Sequence, residues 1–327
     1  MTAPQRRRCL LAGLITALLA MSSSSCGRRT SEVSVPVSNW PGYEYIYLAH
    51  KLDIDQRYGV TIKPVQYPDP QSIVHAYLRG EVPIAQITTV EAVDLCARVP
   101  KRCPVIVLIL DESRGGDQIA VVNAVPSIAA LRGRTVAVTL STLGPYVLSR
   151  ALEQHQLRLT DVSLRNMPLA QMPSALRKGE VQAAVFFPPF SNYAARDGAS
   201  RPLFDSRAIP GEVFDVLAVD PGYLQRHGNT ITALIQAWDE AQRQARRSPE
   251  RALALMAGRE QLSPREFREA EQGLLYFHLP QQVSMLQPAG LLDRNLARVR
   301  AVQQLLKLTT PGAPLPQVTP RFVEAAQ

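Results

Sequence analysis

Residues 83–110 read Pro-Ile-Ala-Gln-Ile-Thr-Thr-Val-Glu-Ala-Val-Asp-Leu-Cys-Ala-Arg-Val-Pro-Lys-Arg-Cys-Pro-Val-Ile-Val-Leu-Ile-Leu. A short apolar run at 83–87 is followed by a stretch of helical spacing at 89–98, then by an unbroken apolar run at 105–110. A strand flanked by polar residues alternates, whereas one covered on both faces is apolar throughout, so 105–110 predicts a strand deep in a helix-covered sheet. Strand, helix, strand in this order is the βαβ unit of an α/β protein with a mainly parallel sheet.

The rhythm extends in both directions. Upstream, 33–38 and 60–67 read as strands, and 43–52 and 71–79 as helices. Downstream, 118–123, 135–139, 162–167 and 183–187 read as strands. Between them, 145–156 and 170–178 read as helices, the first with Pro145 in its opening turn, where a missing N–H costs nothing. After a last strand at 214–219 the spacing is helical at 230–247, 249–258, 264–273 and 291–308. Two βα sets and a helical tail predict two α/β lobes. The chain would cross between them at 111–117, where Gly115-Gly116 permits unusual backbone angles, and again at 211–214. The first lobe then comprises 27–112 plus 216–327 and the second 113–215. Two short crossings form a hinge, and a ligand would sit between the lobes beyond the carboxyl ends of the strands.

The first residues speak of export. Arg6, Arg7 and Arg8 precede an uncharged run from Leu10 to Met21, then four serines and Cys26. A basic start, a short apolar stretch and small residues before a cleavage point make a signal peptide over 1–26. That run is shorter than the roughly 20 residues a spanning helix needs. Cys26 sits as the acylated cysteine of bacterial lipoproteins does, with Ser23 where that pattern prefers Leu, and Arg7-Arg8 also resembles a twin-arginine signal. The expected location is the periplasmic side of the envelope, held there only by a lipid anchor. Of the other cysteines, Cys9 would leave with the signal, and Cys96 and Cys103 are placed to pair in an oxidising compartment.

The formal charge of +8 falls to +5 once Arg6, Arg7 and Arg8 are removed. It is spread out, with no basic stripe interleaved with aromatics, so nucleic acid is not a favoured partner. Five scattered histidines form no ligand cluster with the cysteines, so no metal or other cofactor is expected.

Candidate ligand contacts lie at the strand ends. Trp40, Gly42, Tyr43 and Glu44 follow the first strand as a stacking platform at a helix start. Thr88, Thr89 and Glu91 follow the third strand, where threonines also cap helices. Ser141, Thr142 and Gly144 open a helix, and free amides with two hydroxyls there suit an anion or polar group. Phe187, Pro188 and Phe190 form an aromatic loop on the second lobe. Ser113, Arg114, Asp117 and Asp215 lie near the crossings, where they would touch ligand or lock the hinge.

These motifs resemble a known family. Trp40-Pro41-Gly42-Tyr43-Glu44 followed by Tyr47-Leu48-Ala49 is similar to the opening of nitrate/sulfonate/taurine-type substrate-binding proteins of ABC importers, as is the run from Leu131 to Val138. Ser141 to Gly144 resembles that family's Gly-Ser-x-Gly loop, with Leu140 for the first Gly. Lys178 to Ala184 resembles its Gly-Glu-Val-Asp-Ala signature, and Phe187-Pro188-Pro189-Phe190 its Trp-Glu-Pro-Trp loop with both Trp and Glu replaced. Phe204-Asp205-Ser206 and Ile209-Pro210-Gly211 fit the same succession. The resemblance implies a type II periplasmic-binding fold, closure on a sulfonate-like anion or a flat heterocycle, and delivery by a monomer to an inner-membrane permease. The competing readings are a ligand-presenting sensory lipoprotein and an enzyme like the pyrimidine-precursor synthase of this fold. The enzyme reading wants a placed histidine, and His50 and His75 stand in no catalytic motif.

Overall fold

The computed structural model describes residues 30–196 and 198–327. The export signal and Cys26 lie outside the described residues. The strands are β1 (Ser31–Val37), β2 (Val60–Gln66), β3 (Ile84–Thr88), β4 (Val105–Ser113), β5 (Gln118–Val122), β6 (Thr135–Val138), β7 (Ser163–Asn166), β8 (Ala183–Phe186), β9 (Ser200–Asp205), β10 (Phe214–Val219), β11 (Leu274–Leu275) and β12 (Gln317–Val318). The helices are α1 (Glu44–Lys51), α2 (Ile54–Arg57), α3 (Pro70–Arg79), α4 (Thr89–Arg98), α5 (Leu143–Gln154), α6 (Met172–Arg177), α7 (Phe190–Ala195), α8 (Pro221–Arg247), α9 (Pro249–Glu260), α10 (Pro264–Glu271), α11 (Leu279–Met285), α12 (Leu291–Leu305) and α13 (Arg321–Ala326).

The apolar run at 105–110 becomes β4, all nine of whose residues are buried. It lies inside a sheet of order β11-β4-β10-β3, with β12 added alongside β4. Each fully buried Val, Leu or Ile contributes roughly 1.5–3 kcal/mol, so this run is a main anchor of the core. β1 and β2 form a separate parallel pair. Pro36 and Pro64 remove N–H donors from it, and the Gln86 side chain of β3 donates to the Pro36 carbonyl at 3.0 Å. The second sheet has the order β7-β6-β8-β5-β9.

The expected mainly parallel pairing holds only in part. β6 runs parallel to β7 and β8, but β10 is antiparallel to both β3 and β4, and β5 is antiparallel to β8 and β9. The reason is the path of the chain. β4 leaves the first sheet at the crevice, residues 114–117 cross, and β5 enters the second sheet from its crevice end. β9 runs back to the crevice, and β10 re-enters the first sheet beside β4 but heading away. Gly115, at φ +123°, takes a backbone angle closed to other residues at this crossing.

Three further departures are local. Phe190, expected in the aromatic loop, is instead the first residue of α7. α5 begins at Leu143, so Pro145 is its third residue rather than its first. α8 starts at Pro221 and bends at His227, whose φ of −124° is not helical.

Cys96, at the end of α4, is bonded to Cys103, which leads into β4. Among the described residues no helix is long and apolar enough to cross a membrane.

Candidate functional site

A crevice between the two sheets is lined from both sides and holds about 660 Å³ of non-atom space, including the part open to solvent. The first sheet's side supplies Trp40, Tyr43, Asp69, Pro70, Gln71, Thr88, Glu91 and Asp215. The second supplies Thr139, Thr142, Leu143, Gly144, Pro168, Leu169, Val185, Phe186 and Phe187, with Asp117 at the crossing.

The aromatic wall is built by close fitting. Trp40 is buried, and its indole N–H donates to Asp111 Oδ2 at 3.1 Å. Across the crevice Phe187 meets it edge to face, with centroids 5.3 Å apart, and Phe190 supports Phe187 from behind at 5.9 Å. Gly42 makes the arrangement possible. A Cβ there would sit 1.7 Å from Asp111 Oδ2 and 2.8 Å from Trp40 Nε1.

Below the aromatics the crevice is acidic. Tyr43 donates its hydroxyl to Asp215 Oδ1 at 2.5 Å. Asp215 stands opposite Thr88 of β3 on one side and Asp111 of β4 on the other. Burial pushes the Asp215 carboxyl well above the usual carboxylate range, and the charge of Asp111 adds to this. Asp111 is raised in the same way, burial again leading. Asp117 is pushed up to about 7 by burial, against the bond that its neighbour Ser113 offers, with Glu91 adding to the rise. Burial also raises the Tyr43 hydroxyl and the Glu91 carboxyl. Among the described residues no lysine, arginine or histidine lines the crevice, and none pairs with these four carboxyl groups.

Glu91 spans the gap. In the capping box of α4 its Oε2 accepts from the Thr88 backbone N–H at 2.9 Å and contacts the Thr88 hydroxyl. Its Oε1 accepts from the Leu143 N–H at 3.2 Å, so a carboxylate of one side caps the first turn of a helix on the other. At the helix start expected to suit an anion, 141–144, the Leu143 N–H is therefore already bonded to the Glu91 carboxyl. Thr142 turns its hydroxyl to the Thr139 carbonyl at 2.7 Å and offers α5 no side-chain cap. Gln71, reaching from α3, places its amide 3.5 Å from the Leu140 carbonyl as a second bridge.

Eight of the sequence candidates stand off the crevice lining, among them Arg114, which pairs with Glu112. Gly42 and Phe190 support Trp40 and Phe187 from behind. Glu44 is fully buried away from the crevice, where it receives Arg259 Nε at 2.6 Å, and Arg259 also donates to the Ser38 carbonyl at 2.8 Å. Thr89 is buried with an unpartnered hydroxyl. Ser113 shares a 2.8 Å bond with Ser206 and accepts from the Asp117 N–H, tying the two crossings together. Ser141 takes a left-handed φ of +61°. Pro188 precedes Pro189 in a cis peptide bond. The residues that sequence reading missed are chiefly Asp69, Gln71 and Asp111. For Asp111 there was a signal, since an acid that directly continues an apolar strand is carried into the core with it.

The family model for NMT1-like proteins matches residues 28–257. The chain belongs to the NMT1-like family. The match contains every residue that lines the crevice, while α10 to α13 lie beyond it. Within this family frame, a putative aliphatic sulfonates-binding protein of Escherichia coli (strain K12) is 23% identical over 256 residues, or 74% of this chain and 76% of that one. Among solved structures, the alkanesulfonate-binding protein of Xanthomonas axonopodis pv. citri bound to MOPS superposes with a TM-score of 0.71 at 14% identity, covering 88% of this chain and 97% of that one. A desulfurization enzyme, DSZB, superposes at 0.65 with 18% identity, covering 90% and 98%. The NMT1-like chain thus has the periplasmic-binding-protein fold, a fold shared by binding proteins and by at least one enzyme.

Proposed function

We propose that the protein is an extracytoplasmic solute-binding protein that captures a small organic molecule between its sheets and delivers it to an ABC import permease. What carries this reading is a crevice furnished from both sides at once, Trp40, Tyr43 and Asp215 facing Thr142, Phe186 and Phe187. A ligand that touches both walls favours the closed form, because only that form completes both sets of contacts. Residues 27–112 with 216–327 form one moving body and 113–215 the other, hinged where Ser113 meets Ser206. The signal over 1–26 exports the chain, Cys26 carries the lipid that holds it on the periplasmic side, and it works there as a monomer. The cargo classes that the family resemblance brings are sulfonate-like anions and flat heterocycles.

The protein binds without chemistry. The relatives named for binding sulfonates support this reading. The test is a thermal-shift panel on protein unfolded and refolded to strip carried ligand, with sulfonates, taurine, nitrate, amino acids, amines and pyrimidines. A ligand that binds only the folded state, at 100 times its dissociation constant, adds roughly 2.7 kcal/mol and raises the midpoint. A panel without a single shift contradicts the proposal.

A further inference from the structure

The crevice holds acids without bases. Glu91, Asp111, Asp117 and Asp215 come from α4, β4, the first crossing and β10, and each is at most 3% exposed. Three of them line the space, and the fourth lies under the Trp40 indole. Buried carboxyl groups are ordinarily paired with a cation, since an uncompensated one costs several kcal/mol. Here no cationic side chain among the described residues pairs with any of them. Asp117 Oδ2 is buried without a hydrogen-bond partner, on a side chain that borders the crevice.

Part of the feature that would attract an anion is already used. The Leu143 N–H is bonded to Glu91, and Pro145 has no N–H to offer. An incoming sulfonate or carboxylate would face these carboxyl groups, whose ionisation its charge opposes, and would compete with Glu91 for the Leu143 N–H. A cation, or a group rich in N–H donors, would instead complete bonds that the chain leaves open.

We propose that the crevice takes a small molecule with a flat, apolar body and a cationic nitrogen, an amine or an amidine, Asp117 and Asp215 receiving the nitrogen while Trp40 and Phe187 hold the body. This rests on the solute-binding reading above and narrows its cargo. It departs from the sulfonate named for the relatives, whose identity to this chain is below 25%.

The experiment is titration calorimetry of the stripped full-length mature protein with matched flat probes. Benzamidine and 2-phenylethylamine carry the cation, and benzoate and benzenesulfonate the anion. At least one cation is expected to bind saturably and at least tenfold more tightly than either anion. Asp117→Asn is expected to weaken that binding tenfold or more, while circular dichroism is unchanged and the unfolding midpoint of the free protein is equal or higher. A merely structural Asp117 would leave cation affinity unaltered in D117N, and that result overturns the proposal. Asp215→Asn provides the second variant, with the same expectation. Binding of anions or neutral rings alone also overturns it, while leaving the solute-binding reading intact. Silence from every probe and from the wider panel sinks both.

Discussion

Replacing Gly42 by alanine should unseat the aromatic wall. The added Cβ would lie 1.7 Å from Asp111 Oδ2 and 2.8 Å from Trp40 Nε1, inside any permitted contact, and both neighbours are buried side chains with little room to retreat. The 3.1 Å bond between them must open. A buried donor left unsatisfied costs about 1–3 kcal/mol. Forcing a methyl into a packed site costs about 1–3 kcal/mol more. The expected loss is therefore roughly 2–6 kcal/mol in urea denaturation followed by circular dichroism. Ligand affinity should fall with it, because Trp40 and Tyr43 flank the substituted residue. Gly258→Ala is the control. It lies in α9 with nothing within 4 Å of its would-be Cβ, so alanine should be neutral or stabilise by up to about 1 kcal/mol. If G42A unfolds within about 0.5 kcal/mol of the parent and binds as well, the account of this wall is wrong.

Other substitutions and conditions separate scaffold from site. Arg259→Met strands Glu44 and Glu260 as buried carboxylates without their cation, so stability should drop by about 3–5 kcal/mol while the protein that remains folded binds ligand normally. A binding defect without a stability defect would place Glu44 in the site after all. The free protein should also lose stability as pH rises. The folded state keeps the Asp117 proton up to about 7, whereas the unfolded chain releases it near 3.8, so across that interval the unfolded state binds fewer protons and folding weakens. Glu91 and Asp215, which line the same space, and Asp111 behind Trp40 are raised as well and act in the same direction. Between pH 5 and 7.5 the fall from Asp117 alone is roughly 2–3 kcal/mol. A denaturation series that is flat or rising over that range would refute it.

How far the sequence could be read depended on where the information lay. β4 was plain in it, because six consecutive apolar residues have no other economical use. β9 was not, because Arg201 and Pro202 break its alternation and only Ser200 and Phe204 are buried. The direction of β5 and β10 was invisible, since periodicity reports which face is covered and not which way a strand runs. The aromatic candidates Trp40, Tyr43 and Phe187 stand in the crevice because strand ends and helix starts converge there. Glu44 follows in the same motif, yet one further step along the chain points it at Arg259, a partner 215 residues away that no local pattern announces. The bond from Leu143 to Glu91 was hidden for the same reason: the two halves of a site between sheets are adjacent only after folding.

The most direct test of a binding site in this crevice uses its own chromophore. The chain has two tryptophans, Trp40 in the crevice wall and Trp238 in the core of α8. In a Trp238→Phe variant all tryptophan emission comes from Trp40, so any ligand found in the thermal panel can be titrated against that signal alone. A ligand seated in the crevice should give a saturable change in Trp40 emission, with a midpoint equal to the calorimetric dissociation constant. A ligand that stabilises the protein yet leaves Trp40 emission untouched would bind elsewhere and contradict a binding site in the crevice.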